Sequence, residues 1–140
     1  MAKHIGVTVN FKQLFTESYE RAVLGNQEPF FAEFYAIFIS KSLDLKHMFA
    51  QTNMRKQRQS LATSLTLLVW FAEEHKSDAQ LEQLAKQHAG FGLTAELYDV
   101  WMDALIEALK KTDTQHTKEE SLAWRIILSP GITFMKQFNL

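Results

Sequence analysis

Apolar residues recur along this chain at spacings of three and four, and an alternation of period two is nowhere sustained for six residues. That pattern predicts helices and no strands. The first helix is expected from Val9 to about Leu24, with Gly25-Asn26 as its stop. A second begins near Glu28-Pro29, where a proline in the first turn forfeits no hydrogen bond. Its apolar face reads Phe31, Phe34, Tyr35 and Phe38. Ser42 to Phe49 is expected to be a short tight turn that carries Leu45 and Met48 inward. Asn53 then caps a long helix striped by Met54, Leu61, Leu65, Leu68, Val69 and Ala72.

Ser77-Asp78-Ala79-Gln80 has the capping-box pattern. It opens a short helix with Leu81, Leu84, Ala85 and His88 on one face, which Gly90 and Gly92 close. Thr94 caps the next helix, striped by Tyr98, Trp101, Leu105 and Leu109. Thr117-Lys118-Glu119-Glu120 is a second capping box, and the last helix should turn Ala123, Ile126, Ile127, Phe134 and Phe138 inward. Pro130 should kink it, because proline cannot donate to the carbonyl of Ile126. The three tryptophans are expected in the core. The expected class is all-α, with residues 1–140 as a single domain of about six to seven helices.

Composition narrows what such a domain could do. A 46% hydrophobic content with eleven phenylalanines suits a packed core, and a net charge of −1 offers no basic stripe for nucleic acid or a membrane surface. The chain has no cysteine. That excludes disulfides, iron–sulfur clusters, thiolate-ligated haem and covalent haem attachment. Met1 leads into Ala-Lys-His rather than an apolar run, and Leu65 to Ala72 is too short to span a bilayer, so a cytoplasmic protein is expected.

Three polar residues stand where a plain helical core would carry aliphatics. His88 falls on the buried stripe of its short helix. Gln57 points with Met54 and Leu61, and Tyr35 shares a face with Phe31 and Phe38. A buried polar group costs a few kcal/mol without a partner. Taken singly, each has a structural explanation: a satisfied core histidine, a capping amide, a ring with its hydroxyl on the backbone. Of the other histidines, His4 and His116 are expected in a polar terminus and a polar loop, and His75 at a helix end. His47 is expected on the surface.

Their order along the chain resembles that of bacterial globins. Tyr35-x-x-Phe38, Leu45-x-x-Met48-Phe49, Gln57-x-x-x-Leu61, and His88 followed by Phe91-Gly92-Leu93 and Tyr98 carry the likeness. It is closest to single-domain globins and to the haem domain of flavohaemoglobins, and covers essentially the whole chain. The resemblance implies a globin fold around haem b, held without covalent bonds, with His88 as the iron ligand. Tyr35 and Gln57 become a ligand-stabilising pair. Phe34, Met48, Phe49, Leu61, Leu84, Gln87, Leu93, Tyr98 and Trp101 become the residues around the haem.

The implied function is reversible binding of oxygen, with nitric oxide and carbon monoxide as further ligands. It serves either as a carrier or store, or in nitric oxide detoxification with a separate reductase. The glutamate that flavohaemoglobins carry late in the final helix falls here at about Asn139, which weakens the case for an electron-rich, peroxidase-like iron. Two other classes stay open: a gas or redox sensor signalling through a partner or a homodimer face, and a haem-free interaction module, which would be colourless.

Overall fold

The computed structural model describes residues 10–74 and 79–139. Val9, His4, His75 and the Ser77-Asp78 half of the first capping box lie outside them. The described residues form seven α-helices and no strand: α1 Phe11–Ser18, α2 Gln27–Ser40, α3 Leu43–Met48, α4 Met54–Glu74, α5 Ala79–Gly90, α6 Ala95–Thr112 and α7 Lys118–Lys136. None is long and apolar enough to cross a membrane.

Polar side chains set most of the helix starts. Asn10 Oδ1 accepts from the N–H of Gln13 at 3.0 Å and opens α1. Asn53 Oδ1 accepts from Arg55 and Lys56 at 3.1 and 3.3 Å ahead of α4. Thr94 caps α6, and Thr117 with Glu120 forms a complete capping box at α7. The segment expected as a tight turn is a true helix, α3, because Ser42 caps it by accepting from the N–H of Leu45.

α7 is the centre of the packing, meeting α1, α4, α5 and α6, while α2 lies on α6. Its inward stripe is Trp124, Leu128, Gly131, Ile132 and Met135. Of the residues expected to face inward, Ala123 is buried and Ile127, Phe134 and Phe138 pack against the core, but Ile126 is exposed. Helix α7 runs unbroken through Pro130, although proline leaves the carbonyl of Ile126 without its helical donor. Trp70, expected in the core, stands 61% exposed, whereas Trp124 is fully buried. Trp124 packs against Phe15 in a tilted arrangement, 4.8 Å between centroids, and donates its indole N–H to the buried Ser18 Oγ at 2.9 Å.

A π-helical segment, Tyr19–Leu24, continues α1, closed by a bond from the N–H of Gly25 to the carbonyl of Glu20. Its wide turn buries Ala22 and Val23 while Arg21 reaches the α6–α7 corner. The guanidinium donates from Nε and Nη2 to Asp113 Oδ2 at 2.9 and 2.7 Å. It also donates from Nη2 to both oxygens of Glu120, at 2.8 and 2.9 Å. Both carboxylates are buried, and Glu120 Oε1 also accepts the N–H of Thr117. His116, expected in a polar loop, has a buried side chain bonded to Ser121 Oγ at 2.7 Å, and burial lowers its pKa. Asp113, His116 and Glu120 bring their ligand-type atoms within 4.8 Å of one another, yet the cation that the two carboxylates hold is Arg21.

Arg21→Ala is expected to lower the unfolding free energy at pH 7 by about 2–3 kcal/mol, because it strands two buried carboxylates next to a partly exposed partner. Burial pushes the Asp113 carboxyl up, but hydrogen bonds from Arg21 and the N–H of Gln115 outweigh it and hold the pKa below its ordinary value. Its contribution is therefore complete above about pH 4 and lost as pH falls through the depressed native value. Urea unfolding at pH 7 and pH 3 checks this: the gap between the parent chain and Arg21→Ala should narrow in acid.

Candidate functional site

Helices α2 to α7 line a partly open cavity of about 580 Å³. Its lining is mostly apolar with a few polar groups, the usual make-up of a small-molecule site. α2 supplies Tyr35 and Phe38, α3 supplies Met48 with Phe49 just after it, and α4 supplies Gln57, Leu61 and Leu68. From the other half of the chain come Leu84, Gln87 and His88 on α5, Leu93 in the following turn, Tyr98 and Trp101 on α6, and Ile132 and Met135 on α7. The structure thus brings together every residue singled out from sequence except Phe34. Phe34 is fully buried behind the lining, with its ring against Tyr35, Phe38 and Trp101.

Sequence reasoning missed Thr52, Ser60, Ser64, Ile132 and Met135, which also line the cavity. The serines had no signal, since a hydroxyl on a polar helix flank looks like any solvated one. Ile132 and Met135 were readable in principle, as the i+4 and i+7 continuation of Leu128, had that stripe been followed.

The turn after α5 positions His88. The N–H of Leu93 bonds to the carbonyl of His88 and that of Gly92 to the carbonyl of Ala89, each at 3.1 Å, which together make a Schellman motif. Gly92 takes φ +89°, a left-handed conformation that side chains resist. One glycine therefore fixes both His88, in the last turn, and Leu93, beside it in the lining. Burial lowers the pKa of His88, which favours the neutral imidazole with a free lone pair. Among the described residues its Nδ1 is buried without a hydrogen-bond partner, as are the Tyr98 hydroxyl and Asn139 Oδ1. The His88 and Tyr98 rings lie 6.4 Å apart, and Asn139 Nδ2 donates to the carbonyl of Leu93. Burial also pushes Tyr98 up to about 12.

Tyr35 and Gln57 satisfy each other. The Tyr35 hydroxyl donates to the main-chain carbonyl of Gln57 at 3.1 Å and accepts from Gln57 Nε2 at 3.2 Å. Burial raises Tyr35 to about 12, against the lowering effects of the Gln57 bond and the Arg58 charge. Phe49 packs edge-on to Tyr35 at 5.8 Å and to Phe38 at 6.2 Å.

The globin family model matches residues 32–132. The chain belongs to the globin family. Among solved structures it is similar to protein PA3967 of Pseudomonas aeruginosa, described as structurally highly homologous to a human hemoglobin. The two are 32% identical with a TM-score of 0.83, over 93% of this chain and 98% of that one. No curated protein matches this globin at a significant level. The globin fold packs its helices around a haem pocket, and in this globin the cavity holds a neutral-leaning histidine and no thiolate.

The lining depends on the crossing of α4 and α7. A Cβ at Gly131 would sit 2.5 Å from Leu68 Cδ2 and 3.4 Å from Leu68 Cα, and Leu68 lines the cavity. Gly131→Ala is expected to drive the Leu68 side chain aside and cost about 1–3 kcal/mol of stability. A denaturant midpoint measured beside the parent chain checks it, and an unshifted midpoint would mean that the two helices separate freely.

Proposed function

We propose that this globin binds haem b without covalent bonds, with His88 ligating the iron and Tyr35 and Gln57 forming the polar end of the pocket against a diatomic ligand. The observation that carries the reading is a single apolar cavity lined both by His88, which burial holds neutral, and by the hydrogen-bonded Tyr35–Gln57 pair. Haem iron supplies reversible coordination of oxygen, nitric oxide or carbon monoxide, and oxygen gains negative charge when held there. The residues do the rest. His88 offers its lone pair, and its orphaned Nδ1 leaves it short of the second partner that ligating histidines usually have. Phe49, Leu61, Leu84, Leu93 and Trp101 exclude water, with Met48, Gln87 and Tyr98 completing the lining.

A hydrogen bond to a charged group is worth roughly 1.5–3 kcal/mol, so a donor here slows oxygen release by about one to two decades. Carbon monoxide carries less charge and gains less. Retention of this kind suits an oxygen store. It would suit equally a site where oxygen and nitric oxide combine to nitrate, a reaction that would call for a separate reductase. The amide of Asn139 near His88 and Leu93, in place of the carboxylate that flavohaemoglobins carry, speaks for retention over peroxidase-like chemistry.

Visible absorption of the purified protein tests this, in the ferric, reduced and re-aerated states and beside His88→Ala. A stable oxygenated spectrum that is lost or strongly altered in His88→Ala is the expected result. A colourless chain that takes up no added haemin would point to the interaction module.

One observation favours the sensor as a second reading. Leu122 and Ile126 stand one turn apart on the exposed side of α7, 48% and 43% accessible, as an apolar pair open to a partner or a second copy. A ligand-dependent change in sedimentation is expected if they form a dimer face, and an unchanged profile would leave the carrier or store.

A further inference from the structure

At the corner between α6 and α7, three side chains bring metal-type ligand atoms within 4.8 Å of one another: Asp113, His116 and Glu120. None of the three lines the cavity. Each has one polar atom held by the corner itself. Asp113 Oδ1 accepts from the N–H of Gln115, and Glu120 Oε1 from that of Thr117, both at 3.0 Å. His116 Nε2 is bonded to Ser121 Oγ at 2.7 Å. The remaining atoms face one another. Asp113 Oδ2 and Glu120 Oε2 accept from the Arg21 guanidinium. The His116 side chain is 3% exposed, and its buried Nδ1 has no hydrogen-bond partner among the described residues. It stands 3.8 Å from Glu120 Oε1, too far for a hydrogen bond. That gap is close to the separation of two ligands on one ion, since atoms about 2 Å from a tetrahedral zinc lie roughly 3.4 Å apart.

Charge points the same way. Burial keeps His116 neutral, so two buried carboxylates facing one guanidinium leave a negative charge within the cluster. A buried charge is costly unless it is matched, and a divalent ion in place of the guanidinium matches it. Arg21 is the member free to leave, with a side chain 28% exposed against 6% for each carboxylate.

We propose that Asp113, His116 and Glu120 form a site for a divalent transition-metal ion of the zinc type, and that this ion and the Arg21 guanidinium are its alternative occupants. Asp113 and Glu120 give the oxygens that Arg21 vacates, and His116 gives Nδ1. Imidazole beside carboxylates favours zinc, nickel or copper over magnesium and calcium. The N–H groups of Gln115 and Thr117 and the Ser121 hydroxyl hold the outer atom of each ligand, which is the support that orients ligands in metal sites. Binding releases Arg21, and with it the tie from the π-helical segment to the α6–α7 corner. The proposal stands apart from the haem reading.

The test is zinc uptake by the full chain from zinc chloride in chelator-treated buffer, read by equilibrium dialysis and elemental analysis. The parent chain is expected to bind a zinc ion. His116→Gln can keep the bond to Ser121 while losing Nδ1, and should weaken uptake at least about tenfold. Glu120→Gln keeps the capping pattern of α7 and should weaken it likewise. Circular dichroism identifies a variant that fails to fold, and the other then decides. Arg21→Gln removes the competing cation and should tighten uptake by about tenfold or more. Unchanged uptake in a folded His116→Gln or Glu120→Gln chain would put the zinc elsewhere and overturn the proposal. Uptake no tighter in Arg21→Gln would overturn it too, because ion and guanidinium would then not compete. A parent chain that takes up no zinc at millimolar free ion would overturn it as well, even if Arg21→Gln binds.

Discussion

The pocket depends on how closely α7 can approach α4. Helix backbones come this near only where a side chain is missing, and Gly131 supplies the gap into which Leu68 fits. From that contact α7 extends both ways. Toward its start it buries Trp124 against Phe15 and places Glu120 under Arg21, tying the first helix to the α6–α7 corner. Toward its end it sets Ile132 and Met135 in the cavity lining. A shift at the crossing would reach both, because densely packed interiors transmit displacement rather than absorb it.

Polar groups in and beside the cavity divide by whether they are satisfied. Tyr35 and Gln57 exchange hydrogen bonds, while His88 Nδ1, the Tyr98 hydroxyl and Asn139 Oδ1 have no partner among the described residues. These unpartnered atoms lie at the end of the cavity where the Schellman turn holds His88 and Leu93.

Much of this was legible in the sequence because it is local. A cap needs only its own residue and the next three, and Asn53, Thr94 and Thr117 each perform as their pattern predicts. Spacings of three and four place Tyr35, Gln57 and His88 on inward faces, and the likeness to bacterial globins then joins those faces into one site. Long-range links leave no such trace. Nothing in Arg21 announces Asp113 and Glu120, 92 and 99 residues away, and Ser18 resembles a surface serine until Trp124 is laid over it. In the last helix Ala123 is buried and Ile127, Phe134 and Phe138 pack against the core as expected, but Ile126 is as apolar as its neighbours, so composition could not show that it faces outward while Leu128, Ile132 and Met135 lie deepest. Trp70 and Phe34 erred in opposite senses, one exposed and one behind the lining, since hydrophobicity fixes neither depth nor direction.

The Tyr35–Gln57 pair belongs to fold and function at once. Through the main-chain carbonyl of Gln57, Tyr35 ties α2 to the first turn of α4, whose other support there is the Asn53 cap on Arg55 and Lys56. A helix start held from two sides moves little. The amide that projects from it is therefore held in one orientation, and a group that needs no reorganisation acts more strongly than one that must first be ordered. The same tie sets a limit. Were Tyr35 to turn its proton to a ligand, the Gln57 carbonyl would lose a partner and the amide its anchor, so the second donor could be gained only by loosening the first.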